Sequence, residues 1–169
     1  MPSPAELRTA RAELELRLEQ RQTALGPDDP ALANDLRALG RIVHDLGDFV
    51  DATALLERAR TLHTEAFGPD HPEVATDLNH LGLVLHDAGD LEVAWSVFER
   101  ALAIDERTLG PEHPSVGRDA NNLAGVLRDL GDFLSARAAL EYALSIYTAA
   151  HGSEHPTTRA VAANLAGLR

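Results

Sequence analysis

Gly68-Pro69-Asp70-His71-Pro72 opens a stretch that this chain writes again and again. Near-copies stand 42 residues to either side, at Gly26-Pro27-Asp28-Asp29-Pro30 and Gly110-Pro111-Glu112-His113-Pro114. A further copy opens at Gly152-Ser153-Glu154-His155-Pro156. Gly47-Asp48, Gly89-Asp90 and Gly131-Asp132 keep the same spacing between them. A fixed period of this length is the mark of a stacked array, in which each unit buries its apolar face only against its neighbours.

Working outward from Pro72, the unit reads as two helices. Proline suits a first helical turn, where its missing N–H costs nothing. Leu78, Leu81, Gly82 and Leu85 then recur at the spacing of an apolar helical stripe. Gly89 can take the left-handed conformation that ends this helix, and Asp90 can cap the next. Leu91, Ala94, Val97, Phe98, Ala101, Leu102 and Ile104 form the second stripe, which Gly110-Pro111 ends. Each unit is expected to be an antiparallel pair of about 16 and 19 residues joined by a tight turn. Small residues hold equivalent places where such helices must touch: Gly40, Gly82 and Ala124; Ala52, Ala94 and Ala136; Ala59, Ala101 and Ala143. A bulky side chain at those points would cost roughly 1–3 kcal/mol in strain.

Bulk composition agrees and narrows the function classes. The 169 residues suffice for one domain with a core, and 44% of them are hydrophobic but only 4% aromatic. Leu, Ala and Val must therefore build the interior, which suits close helix packing. There is no cysteine, so disulfides and thiolate metal sites are excluded. The formal charge is −12, and all 15 of the Lys and Arg residues are Arg. Such an acidic body repels a phosphate backbone, and nucleic acid is not expected as a partner. No run of 18 apolar residues occurs, and Met1-Pro2-Ser3-Pro4 lacks the pattern of a signal peptide, so no membrane partner and a cytoplasmic location are the expectation.

The motifs resemble the tetratricopeptide repeat (TPR). Leu78-x2-Leu81-Gly82-x2-Leu85 is similar to its first helix and Ala94-x3-Phe98-x2-Ala101 to its second. The common version has a period of 34 residues, whereas HEAT and armadillo repeats run closer to the length seen here. Gly-Pro-Asp-His-Pro-x-Val-Ala, followed by Leu-Asn and later Arg-Ala-Leu, resembles the 42-residue version found in kinesin light chains and in many bacterial signalling and scaffold proteins. The resemblance implies an all-α, right-handed TPR solenoid of antiparallel helix pairs. A single array over residues 1–169 would comprise a lone helix at 5–25, full repeats at 26–67, 68–109 and 110–151, and a half repeat at 152–169. The lone helix, with Leu7, Ala10, Leu14 and Leu18 on one side, resembles a second helix without its first. In the final half repeat Val161, Leu165 and Leu168 are expected near an open end. Two readings of that end stay open: a piece of a longer array, or pairing with another copy.

The resemblance also implies that the first helix of each unit lines a concave groove. Opposite the core stripe lie Asn34, Arg37, Arg41, His44 and Asp45 in the first repeat. The second offers Thr76, Asn79, Leu83, His86 and Asp87, and the third Arg118, Asn121, Gly125, Arg128 and Asp129. These positions hold four Arg against three Asp, a formal +1 within a body of −12. The expected function is a protein-interaction scaffold that binds a peptide segment in this groove. Asn79, Asn121 and Asn122 would bond its backbone, and Arg37, Arg41, Arg118 and Arg128 an acidic side chain or C-terminal carboxylate. Known relatives with a carboxylate clamp use Lys and Asn at set places; here Lys is absent and His80 stands where Asn is common, so the clamp does not carry over. The alternative function is a self-association or intramolecular docking module, for example the sensor part of a larger bacterial signalling ATPase. Homo-oligomerisation through the half-repeat ends belongs to that alternative.

Catalysis is not expected, nor a cofactor. The chain shows no Gly-rich phosphate loop, no paired nucleophile and base, and no metal spacing. His71, His113 and His155 repeat in the loop motif, and equivalent residues of stacked helices sit about 10 Å apart, too far to share an ion. They read as loop structure. His44 and His86, in the groove, would make binding pH-dependent. Trp95 reads as a partly packed surface ring, or a partner contact if exposed.

Overall fold

A computed structural model describes residues 2–168. Met1 and Arg169, the ends of the expected array, lie outside the described residues. Among those described, all regular structure is helical. The order is α1 (Pro4–Leu25), a 3-10 turn (Pro30–Leu32), α2 (Ala33–Asp45), α3 (Phe49–Phe67), α4 (Pro72–Ala88), α5 (Leu91–Leu109), α6 (Pro114–Asp129), α7 (Phe133–His151) and α8 (Pro156–Gly167). Helices adjacent in sequence pack on one another throughout. The first helices α2, α4 and α6 also approach one another more closely than α3, α5 and α7 do. That inequality makes the α2, α4, α6 layer the inner one.

The repeated words turn out to be helix starts. His71, His113 and His155 are the N-caps of α4, α6 and α8, each Nδ1 accepting from the backbone N–H two residues on, in Glu73, Ser115 and Thr157. Asp29 does the same for the 3-10 turn, with Ala31 N–H as donor. Between paired helices, Gly89 sits at φ 90° and ψ 6°, a left-handed turn open to glycine at little cost. Asp48 and Asp132 cap the following helices, accepting from Asp51 N–H and Ser135 N–H; Asp90 makes no such bond.

Packing explains the small residues. A Cβ placed on Gly82 would come within 2.7 Å of the Phe98 ring, and one on Gly40 within 2.9 Å of Leu56. Ala94, Ala101, Ala52, Ala59, Ala136 and Ala143 are fully buried at the other crossings. At the last half repeat the expectation needs correcting. Val161 and Leu168 are buried in the core with Ala143 and Tyr147, and Leu165 packs against the same cluster. Their stripe faces inward onto α7 because they hold the register of Asp119, Val126 and Leu123, all buried in the third repeat. The outward face of α8 carries Ala160, Ala163 and Ala166 instead.

Candidate functional site

All of the groove residues read from the sequence lie on α2, α4 and α6, the inner layer. Many of them, however, already hold one repeat to the next. Arg37 reaches Glu73 at 2.7 Å and Asp77 at 3.1 Å, and also bonds Asn34. Asn79 is only 2% exposed; its amide donates to Asp119 at 2.5 Å and accepts from Asn122 at 3.2 Å. Asn121 accepts from Asn164 at 3.1 Å. His44 Nε2 lies 2.8 Å from Asp87 Oδ2, and His86 Nε2 lies 2.7 Å from Asp129 Oδ2, one repeat later in each case. Arg128 is bound to its neighbour Asp129 at 2.8 Å. Thr76 bonds back to Pro72 O in its own helix, and Leu83 packs on the core.

What remains on the inner face centres on α2 and α4. Arg41 is exposed and makes no ion pair or hydrogen bond among the described residues. Beside it is half-buried His80, a residue named in the sequence reading only as a departure from a clamp. Burial, then the charges of Arg41, Arg37 and Arg118, push the His80 pKa down to about 4. The imidazole is therefore neutral at pH 7, able to donate one hydrogen bond and accept another. Arg118, partly exposed, borders the same patch while leaning on Asp119 at 3.0 Å. The arrangement offers a cation, a neutral donor–acceptor and an amide edge to a ligand lying along the inner face.

Beneath this face runs a second polar line that sequence reasoning missed. Asp35, Asp77 and Asp119 are equivalent and buried. Each faces a residue from the preceding second helix, at the equivalent positions Arg21, His63 and Asp105. Arg21 and Arg17 pair with Asp35, and His63 Nδ1 lies 2.5 Å from Asp77 Oδ2. At the third place both partners are acids, 1% and 0% exposed. Asp105 Oδ1 and Asp119 Oδ2 have no hydrogen-bond partner among the described residues. Burial above all drives Asp119 up to about 7, opposed by Arg118 and reinforced by Asp105, whose own pKa is also raised by burial. A proton held on Asp119 lets it donate to Asp105. The available signal was the 42-residue spacing of the three aspartates within otherwise apolar stripes.

Among the described residues no group of acids, histidines and cysteines could hold a metal ion, and no helix is long and apolar enough to cross a membrane. No curated protein matches the chain. Two solved structures of a Podosopora anserina protein described as a kinesin light chain with nearly identical TPR-like repeats superpose on it. One gives a TM-score of 0.80 at 25% identity, covering 96% of this chain and 77% of that one. A single-substitution variant gives 0.81 at 25% identity, over 96% and 76%. BtubC (BKLC) from P. vanneervenii gives 0.80 at 20% identity, over 99% of this chain and 66% of that one, a likeness of fold. The family model described as tetratricopeptide repeat matches residues 42–107, 78–141 and 118–169, overlapping spans that together cover most of the chain. The chain therefore belongs to the tetratricopeptide repeat family, in its kinesin-light-chain-like form.

Proposed function

We propose that the inner face binds an extended peptide segment of a partner protein and prefers one bearing an acidic side chain or a C-terminal carboxylate. Repeats of this family are generally protein-interaction scaffolds, and the finer reading is carried by Arg41. It is a cation with no partner in a body of formal charge −12, set beside neutral His80 and partly exposed Arg118. An unpaired guanidinium can meet a carboxylate with two parallel hydrogen bonds, giving direction as well as attraction. Asn122 and Asn121, partly exposed on the same inner layer, would bond the peptide backbone. Arg37 and Asn79 act one layer down, holding the inner helices in register.

Calorimetric titration with acidic peptides tests this reading. Arg41→Glu is expected to weaken binding about tenfold or more, and rising salt to weaken the wild type. An affinity unchanged by Arg41→Glu overturns the groove reading, because that side chain has no structural bond to lose.

A further inference from the structure

The outer face carries a feature that the repeat pattern does not require. Between α5 and α7 runs a trough of about 530 Å³, walled by Trp95 and Glu99 on one side and Asp132, Ser135 and Ala139 on the other. Leu123 and Leu127 of α6, with Leu130 just after its end, form the floor. It continues into a second hollow of about 320 Å³ that shares Glu99 and Leu123 and adds Leu102 and Glu106. From Trp95 to Glu106 the run is about 16 Å, three helical turns.

One repeat earlier the equivalent trough is smaller, about 270 Å³, and the substitutions responsible can be read off. Val93 and Val97 of α5 become Ser135 and Ala139 of α7, which opens one wall. Thr53 becomes Trp95, the only tryptophan of the chain and 38% exposed, which builds the other. Glu57 is neutralised by Arg60 at 2.6 Å. Its equivalent Glu99 has Leu102 in place of that arginine and makes no ion pair among the described residues. The change removes a cation and adds an apolar surface at one stroke. Neither hollow has a basic residue in its lining. Arg100 and Arg107 on α5 are both turned to Asp70.

From this combination we infer that the α5–α7 trough is a docking site for a short amphipathic helix of a partner protein, apolar on one side and basic on its flanks. The apolar side covers Trp95, Leu127 and Leu130. The flanking cations meet Glu99 on one wall and Asp132 on the other, the N-cap of α7, whose ionised form is favoured by bonds from Ser135. Such a helix engages with i, i+3, i+4, i+7 anchors, and three turns supply them. The site is independent of the inner face, so the two readings stand or fall separately.

Trp95 reports on the trough directly. The probe is a synthetic amphipathic helix of about four turns, with leucine on one face and lysine on the other, titrated into the full chain while Trp95 fluorescence is followed. The expected result is a saturable blue shift, with affinity reduced at least tenfold by Ala139→Val combined with Ser135→Val. Those residues stand at the same places in α5, so the fold accommodates them. Glu99→Arg is expected to give a similar loss, and Arg41→Glu on the inner face none. The inference is overturned if a glutamate version of the peptide shifts Trp95 equally, or if the filled trough binds as tightly as the open one. It is also overturned if the spectrum moves with protein concentration alone, which would make a second copy the occupant.

Discussion

The junction entering the second repeat and the junction entering the third have the same backbone but different partners for the buried acid. At the former, Asp77 is buried and fully engaged: His63 and Arg37 both reach it, one from the preceding second helix and one from the preceding first helix. At the latter, Asp119 is equally buried, but Asp105 stands in the place of His63 and Asn79 in the place of Arg37. Two donors with basic character have become a neutral amide and a second acid. A repeat array tolerates this because each junction contributes nearly independently, and a poor one is carried by its neighbours. The lesson is that an acid recurring from repeat to repeat has no fixed worth. Its contribution depends on what the preceding unit sends to meet it.

The largest effect is expected from breaking the better junction. Asp77→Ala leaves His63 and the guanidinium of Arg37 without their buried acceptor. Removing one member of such a buried set costs about 3–5 kcal/mol. Urea denaturation followed by helical circular dichroism measures it as a lower midpoint. Asp119→Asn, at the equivalent place, should go the other way. An amide can keep accepting from Asn79 through its oxygen and donate its N–H to Asp105, supplying the donor that Asp119 lacks when ionised. A loss from Asp119→Asn as large as that from Asp77→Ala would erase the contrast.

The second effect sharpens the contrast through pH. Asp119 titrates near 7 in the folded chain, against 3.8 for an ordinary aspartate, with burial as the leading cause. The folded state thus holds a proton that the unfolded state has released. The associated stability is present in full below about pH 3.8 and is lost as pH rises through about 7. Between pH 5 and pH 8 the loss is on the order of 2 kcal/mol. The measurement is the difference between wild type and Asp119→Asn, in which contributions common to the two chains cancel. The wild type should fall relative to the variant as pH rises, and Asp105→His, which gives the junction entering the third repeat the histidine found at the junction entering the second, should abolish the relative fall. Parallel pH profiles for wild type and Asp119→Asn would show that the acid pair carries no excess proton.

Much of the fold was legible in the sequence because its determinants are local. Gly89 ends a helix by its own conformation, Pro72 begins one by its own chemistry, and Gly82 marks a crossing because nothing larger fits against Phe98. The site was legible only in outline. Reading one helix at a time assigned Arg37 and Asn79 to a ligand, since both stand off the apolar stripe. Their actual partners, Asp77 and Asp119, are 40 residues away on the next first helix. For the same reason Asp77 and Asp119 escaped notice. A polar residue in an amphipathic pattern reads as solvent-facing, and only the helix of the preceding repeat determines that it is covered.

The smallest effect concerns the first of the three junctions and tests whether redundancy, rather than charge, separates the good junctions from the poor one. Asp35 is met by two arginines one helical turn apart on α1, Arg17 at 2.6 Å on one oxygen and Arg21 on the other. Both guanidinium groups are substantially exposed, so neither bond has the strength of a buried one. Arg21→Ala removes the residue equivalent to His63 yet leaves Arg17 in place, and Asp35 never becomes an unpaired buried charge. The expected loss is therefore about 1 kcal/mol or less. Arg17→Ala alone should behave alike, while the two together should cost clearly more than their sum, since only then does Asp35 lose every cation. A double-mutant cycle of urea midpoints reads this coupling. If the single changes already cost as much as Asp77→Ala, each arginine is individually required, and the first junction resembles the second in kind. If the cycle shows no coupling, Asp35 is stabilised by its backbone surroundings, and the identity of the preceding helix's residue matters only where, as at Asp105, it adds a charge of the wrong sign.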